Sequence, residues 1–206
     1  MRAILRLPLL SCLCGVLLAA CTSLTHEQIQ TAFDTGLKQY DAGDYEAAFK
    51  TWKSIEDVDL AALRNVALML RKGEGVAKNP KAAQDKMEQA AGAGLVTAQA
   101  DLADMLLEGE AGPPDPKAAL PWLVAAARAG HPIAAYKLGE FYEQGTLVPQ
   151  DAKLACKLYK LAAESEVDGA EARLKDRCPE PPQEPAGTAP APANPAPESP
   201  LPGVGH

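Results

Sequence analysis

Apolar residues in the middle of the chain recur every three to four positions, and the whole pattern repeats at a spacing of 36 residues. In one copy Ala98, Leu102 and Leu106 fall at i, i+4 and i+8, which is a single stripe of an amphipathic helix. The equivalent stripes are Ala62, Val66 and Leu70, then Ala134, Leu138 and Tyr142, then Ala170, Leu174 and Cys178. A fixed period of this length is typical of stacked helix pairs.

Each copy contains residues that favour the end of one helix and the start of the next. A glycine follows the first stripe, where a helix that ends in the left-handed conformation needs one. An Asn or Asp six residues later suits an N-cap, and proline follows it in two copies, at the first helical position. The glycines are Gly73, Gly109 and Gly145, the caps are Asn79, Asp115 and Asp151, and the prolines are Pro80 and Pro116. Each copy is therefore predicted to contain a helix, a seven-residue loop, an antiparallel helix and a short turn.

Two residues depart from the pattern. Glu166 stands where Gly94 and Gly130 occupy the other copies. Pro121 lies inside its predicted second helix, so we expect that helix to kink or to start late.

The segment before the repeats also has the pattern of a helix pair. Thr25 and Gln28 are spaced as a capping box at the start of a helix that runs to about Tyr40. Asp44 is placed to cap a second helix, which runs to about Ile55. Residues 25–178 are therefore predicted to form an all-α domain, a short α-solenoid of about four antiparallel helix pairs plus a closing helix.

The repeat columns resemble the Sel-one-like repeat, a longer-looped relative of the tetratricopeptide repeat, over roughly residues 61–178. The matching features are the Gly73-Glu74-Gly75-Val76 turn, the capping Asn or Asp, the paired alanines, Trp122 and Gly130. The resemblance implies an α-solenoid that serves as an adaptor or scaffold. The family that the chain resembles also includes a minority of cysteine-rich bacterial members that have been linked to binding or cleaving β-lactams. We interpret the tryptophans, Trp52 and Trp122, as core residues.

The N-terminus has the pattern of a secretory signal. Arg2 and Arg6 precede a short apolar run, and Leu18-Ala19-Ala20-Cys21 resembles a bacterial lipobox. We therefore expect residues 1–20 to be a lipoprotein signal peptide, Cys21 to carry acyl chains such as palmitate, and residues 21–24 to form a tether. The resemblance, with Thr22 in place of Asp, favours the outer membrane and a domain that faces the periplasm. The alternative is an ordinary cleaved signal peptide with a chance cysteine.

The last 28 residues change composition abruptly. Ten of them are proline and none is Lys or Arg. Such a segment buries too little apolar surface to fold, so residues 179–206 are predicted to be a disordered tail. It acts either as a solvated end or as a spacer or ligand that contacts the cell wall.

Few residues carry recognisable chemistry. No nucleophile–base arrangement, phosphate-binding loop or metal-ligand spacing stands out, so no catalytic residue, cofactor or metal is predicted. His131 is interpreted as a surface residue in a turn. Lys81, Lys117 and Lys153 recur in the first turn of the second helices, as solvated charges or, alternatively, as contacts for an anionic partner.

Charge argues against nucleic acid as a partner. The chain has 20 Lys and Arg against 27 Asp and Glu, and removing Arg2 and Arg6 with the signal changes the net charge from −7 to −9. Binding driven by phosphate contacts is therefore not expected.

The sequence thus favours an envelope lipoprotein that is not an enzyme and binds a protein partner through a helical-repeat groove. The alternatives are a β-lactam-binding or hydrolysing enzyme and a structural spacer that uses the proline-rich tail. Because first helices usually line the inner face of such arrays, their polar residues are the candidate groove. These residues are Arg64, Asn65, Gln99, Asp101, Asp104, Tyr136, Lys137 and Glu140.

Cys156 and Cys178 are the candidate disulfide. Each lies 11 residues from Val167, the centre of the turn between the last two predicted helices. Two antiparallel helices joined at that turn would place the cysteines side by side, and a periplasmic address would supply an oxidising compartment. The alternative is two buried thiols.

Overall fold

The structure, a computed structural model, describes residues 24–178. The predicted signal peptide, Cys21 and the proline-rich tail lie outside these residues. Within the described range the chain forms nine α-helices and no strands. They are α1 (His26–Asp41), α2 (Tyr45–Lys53), α3 (Leu60–Lys72), α4 (Pro80–Gly92), α5 (Val96–Glu108), α6 (Pro116–Arg128), α7 (Pro132–Gln144), α8 (Ala152–Ala163) and α9 (Ala170–Arg177). The predicted all-α helical-repeat class is confirmed, with four helix pairs and one closing helix.

The helices belong to two compact units, each with its own packing. The first unit ends at Ala93 and contains α1 to α4, and the second begins at Gly94 and contains α5 to α9. In each unit, every helix packs against the next one along the chain. The core of the second unit is rich in alanine around Leu123 and Leu138, which brings the helices close together.

The loop between the two helices of each repeat follows the sequence pattern. Gly73, Gly109 and Gly145 end α3, α5 and α7 in the left-handed conformation, with φ of 83°, 69° and 68°. Seven residues later the second helix begins, and the Asn or Asp side chain before it accepts a hydrogen bond from the backbone N–H three residues on. The N–H of each capping residue also donates to a carbonyl of the preceding helix. These bonds join Asn79 to Leu70, Asp115 to Leu106 and Asp151 to Tyr142, at 2.8, 2.8 and 3.0 Å.

One local expectation needs correction, and two details go beyond the sequence pattern. The helix that contains Pro121 does not start late, because Asp115 caps it and it begins at Pro116. Pro121 is its sixth residue, so the ring removes the one N–H that would reach the carbonyl of Lys117. His131 is more than a turn residue, since its Nδ1 accepts from the N–H of Ala134 at 3.3 Å and caps α7. The second helices α4 and α6 each end two residues before the glycine of the following turn, Gly94 and Gly130.

Two glycines allow bulky aromatic side chains to lie against a neighbouring helix. A Cβ at Gly36 of α1 would lie 2.4 Å from the indole of Trp52, and one at Gly139 of α7 would lie 2.7 Å from the ring of Tyr159. Both aromatic side chains are buried. Trp52 is a core residue as predicted, and Trp122 is partly buried against the core of the second unit.

Candidate binding surface on the first helices

All eight residues predicted to line a groove lie on first helices. Arg64 and Asn65 belong to α3 of the first unit, and the other six belong to α5 and α7 of the second. Each of the eight is half-buried. The six residues in the second unit belong to the same compact unit as α9.

Two of these residues form an ion pair between neighbouring repeats. The Nζ of Lys137 on α7 lies 2.5 Å from Oδ1 of Asp104 on α5, and the two side chains are 29% and 26% exposed. Their partial burial limits screening by solvent, so the pair holds both side chains in fixed positions more firmly than a surface pair would.

The same contact occurs again one repeat later. Arg173 of α9 stands 36 residues after Lys137, and Glu140 of α7 stands 36 residues after Asp104. The Nη2 of Arg173 lies 3.2 Å from Oε1 of Glu140. We call these two contacts the ion-pair ladder. It consists of Asp104–Lys137 and Glu140–Arg173.

Glu143, one turn beyond Glu140, joins the ladder to the core. Its carboxylate accepts a hydrogen bond from the Tyr159 hydroxyl at 2.6 Å and pairs with Nη1 of Arg173 at 3.2 Å and with Nε of Arg177 at 3.0 Å. Two effects raise the pKa of the Tyr159 phenol well above its usual range. Burial is the larger effect, and the hydrogen bond to Glu143 is the second. This hydroxyl therefore stays protonated and serves as a structural donor.

Tyr136 completes the cluster. Its ring centroid lies 5.6 Å from that of Tyr159. A side-chain hydrogen bond with Tyr136 and the charge of Glu143 raise the pKa of the Arg173 guanidinium. Sequence reasoning identified Tyr136 and Glu140 but missed Arg173, Glu143 and Tyr159. The signal for Arg173 was available, because it continues the column of Asp101 and Lys137 into the closing helix.

Beside this cluster the structure joins Cys156 to Cys178. The S–S distance is 2.02 Å and the Cα atoms lie 5.6 Å apart. The bond links Cys156 near the start of α8 to the residue that ends α9, so it fixes the end of this helix pair that lies opposite the connecting turn. This is the pairing that the sequence predicts.

The first unit has a buried ion cluster of its own. Glu56, 8% exposed, accepts hydrogen bonds from Lys53 and from Lys86, the latter at 2.8 Å. Burial raises the pKa of Glu56, but the two lysines together lower it further, so the net pKa lies below its ordinary value. The cluster ties α2 to α4.

Residues 24–178 offer neither a metal site nor a membrane-spanning helix. This part of the chain contains no group of three or more His, Cys, Asp and Glu side chains placed to hold a metal ion. None of its helices is both long enough and apolar enough to cross a membrane. What the first helices of the second unit do offer is a set of positioned carboxylates and cations together with the Tyr136 phenol.

Comparison with known proteins identifies the repeat. The Sel1 repeat model matches residues 60–95, 96–131 and 132–166, together more than half of the chain. A solved Sel1 repeat protein from Oxalobacter formigenes is 31% identical with a TM-score of 0.65, and the alignment covers 69% of this chain and 58% of that one. A protective antigen present in uropathogenic Escherichia coli strains, displaying an SLR fold, is 25% identical with a TM-score of 0.64, and the alignment covers 71% of this chain and 32% of that one.

The chain thus spans less than two thirds of either solved relative. No curated protein matches it significantly. The model boundaries fall at the turns after α4 and α6, and the three matched segments coincide with α3–α4, α5–α6 and α7–α8. This chain therefore belongs to the Sel1 repeat family.

Proposed function

We propose that this protein is a non-enzymatic adaptor, anchored by lipid to the bacterial outer membrane, whose first helices bind a protein partner in the periplasm. Sel1 repeat proteins are generally scaffolds for protein–protein interaction. The observation that carries the proposal is the run of three matched repeats with polar, half-buried side chains at the same positions of successive first helices.

The ion-pair ladder supports this choice of surface. Its four charged side chains are held in place before any partner arrives, so binding would immobilise few rotatable groups. The alternating carboxylates and cations also set a charge pattern that only a complementary partner matches. Candidate contacts are the ladder residues with Gln99, Asp101 and Tyr136, and, in the first unit, Arg64 and Asn65.

The membrane part of the proposal depends on the N-terminal sequence. Leu18-Ala19-Ala20-Cys21 has the composition of a lipobox, and two or three acyl chains anchor a protein stably where a single chain does not. The acidity of the chain weighs against direct attraction to anionic lipid, so the acyl chains would supply the membrane contact.

Site-specific photocrosslinking in intact cells tests the binding surface. A photoreactive residue at Asn65 on α3 probes the first-helix face, and the matched control places it at exposed Gln89 on α4 of the same unit. We expect defined crosslinked proteins from position 65 that are absent from position 89. Identical products at both positions, or none at either, would contradict the proposed face.

A charge exchange in the second unit tests the ladder separately. Lys137→Glu leaves two carboxylates facing each other, whereas Asp104→Lys with Lys137→Glu restores an ion pair with reversed polarity. If a partner recognises the charge pattern, both variants lose its recovery by affinity purification, while the double variant keeps the wild-type unfolding temperature. Full recovery with the double variant would show that the ladder only stabilises the fold.

A further inference from the structure

An open groove of about 1030 Å³ lies between α8 and α9, on the side of the disulfide. Its apolar surface comes from Leu174, Ala152 and the Cys156–Cys178 bridge. Five of its ten lining residues are basic, and Glu171 is the one acidic residue among them. The basic residues are Lys153, Lys157, Lys160, Lys175 and Arg177.

The four lysines of this groove are exposed and have no ion-pair or hydrogen-bond partner within residues 24–178. In α4 the exposed lysine of the first turn, Lys81, pairs with Asp85 four residues on at 2.7 Å. Helix α8 contains no Asp or Glu at all, so Lys153 and Lys157 lack that option. In a chain of net charge −7, this groove collects uncompensated positive charge around an apolar floor.

The chain itself supplies a matching ligand. It leaves the groove at Cys178 and continues with Pro179-Glu180-Pro181-Pro182-Gln183-Glu184, and no Lys or Arg occurs from residue 179 to residue 206. We propose that residues 179–184 bind back into the groove, with Glu180 and Glu184 paired with the lysines of α8. This inference is independent of the partner proposed above.

Distances agree with this arrangement. Lys153, Lys157 and Lys160 lie on one stripe of α8 that spans about 10 Å at 1.5 Å per residue. Glu180 and Glu184 are about 12 Å apart if the proline-rich stretch adopts polyproline II at 3.1 Å per residue. The disulfide holds Cys178 against Cys156, which lies between Lys153 and Lys157 in the sequence, so the segment starts beside that stripe.

The energetic cost of such binding is low. Proline restricts the unbound segment, so little backbone entropy is lost on docking. The covalent connection gives the segment an effective concentration in the millimolar range, which compensates for ion pairs that are individually weak. An acidic segment of another protein, or the tail of a second copy, would have to compete with this tethered ligand.

Lysine reactivity in the full chain measures the docking directly. Brief acetylation followed by mass spectrometry gives a rate for each lysine, and exposed, unpaired Lys117 serves as the internal reference. We expect Lys153, Lys157 and Lys160 to react about two- to fivefold more slowly than in a Glu180→Gln, Glu184→Gln variant, the size that two exposed ion pairs produce. Glu198→Gln, which removes the remaining carboxylate side chain of the tail, should change nothing, and 0.5 M salt should remove the protection.

Zero-length carbodiimide crosslinking identifies the lysines that pair with Glu180 and Glu184. In a mixture of isotopically light and heavy chains, crosslinks from Glu180 or Glu184 to α8 lysines within one chain support the proposal. Crosslinks that join light to heavy chains would overturn it in favour of exchange between copies. Equal acetylation rates in the wild type and the double variant would show that the groove does not hold this segment.

Discussion

Glu166 adopts a backbone conformation that glycine adopts at the equivalent positions of two other repeats. Its φ is 56°, while Gly94 and Gly130 have φ of 93° and 86°. A side chain costs about 1 kcal/mol in the left-handed region, and part of that is returned because glycine loses more entropy on folding. We predict that Glu166→Gly raises the free energy of unfolding by about 0.5 kcal/mol, measured by urea titration.

The matched control lies two residues away. Glu164 is also exposed but has φ of −60°, which any residue adopts. Glu164→Gly should therefore destabilise the protein by a few tenths of a kcal/mol, roughly the entropic cost of glycine. If both substitutions destabilise the protein equally, the conformation at Glu166 is not strained.

Gly139 is constrained by contact rather than by φ. A Cβ there would lie 2.7 Å from Cε1 of Tyr159, a fully buried ring that cannot move aside freely. We predict that Gly139→Ala lowers the free energy of unfolding by about 1–3 kcal/mol through overpacking. Gly92, also helical, has open space around the same position, so Gly92→Ala should stabilise by up to about 0.5 kcal/mol. A neutral Gly139→Ala would contradict the close approach of α7 and α8.

Glu56 makes part of the stability dependent on pH. Its pKa in the folded protein lies below the ordinary 4.5, so the carboxylate stabilises the fold above about pH 4.5, and that contribution is lost as the pH falls through the folded-state value. We predict that Glu56→Gln costs about 1–3 kcal/mol at pH 7 and that the difference from the wild type narrows below pH 4.5. Chemical denaturation at several pH values measures this.

Glu46 provides the control for Glu56. It pairs with Lys50 at 2.6 Å, but both side chains are about 70% exposed. Glu46→Gln should therefore have a small effect that changes little with pH. A constant difference between the wild type and Glu56→Gln from pH 7 to pH 3 would count against the buried ion cluster.

At the scale of elements, the sequence predicts most of the helices because their signals are local. The cap at Asp115 and the terminating glycine at Gly109 each depend on a few neighbouring residues. Equivalent residues occur in all three copies of the 36-residue repeat. The start of the helix that contains Pro121 is harder to predict from sequence. Its N-cap and its proline at the first position favour a helix more strongly than the loss of one interior hydrogen bond opposes it.

The candidate surface was only partly predictable for a related reason. Position in the repeat placed Lys137 and Glu140 on first helices, but whether a side chain is available or already paired depends on the next repeat. Arg173 contacts Glu140 across 33 residues, and α9 alone among the first helices has no second helix within residues 24–178. The sequence of α7 alone does not indicate that Glu140 is paired with Arg173.

The disulfide stabilises the closing helix α9, which has eight residues and packs against α8. Because the bridge closes a loop with a sequence separation of 22, we predict that Cys156→Ser with Cys178→Ser costs about 3 kcal/mol in the chain-entropy model. Alkylation of the unfolded wild type without reductant, followed by mass spectrometry, should leave both cysteines unmodified. Uptake of the reagent at both positions would disprove the bridge.

At the scale of the whole molecule, the repeats by themselves do not specify where the protein acts. Family membership follows from residues 60–166, but the same fold serves equally well on a soluble or an anchored protein. We infer the location instead from Cys21 and the residues around it, which lie outside the described part of the chain.

We predict that Cys21 is the site of lipid attachment. Cells expressing the wild-type chain should incorporate labelled palmitate into it, and Cys21→Ala should abolish both the label and recovery in the membrane fraction, because the acyl chains supply the anchor. Cys14→Ala is the matched control, since Cys14 lies within the predicted signal and should be removed with it. If the wild-type protein never acquires the label, residues 1–20 are an ordinary secretory signal and the proposed adaptor has no lipid anchor.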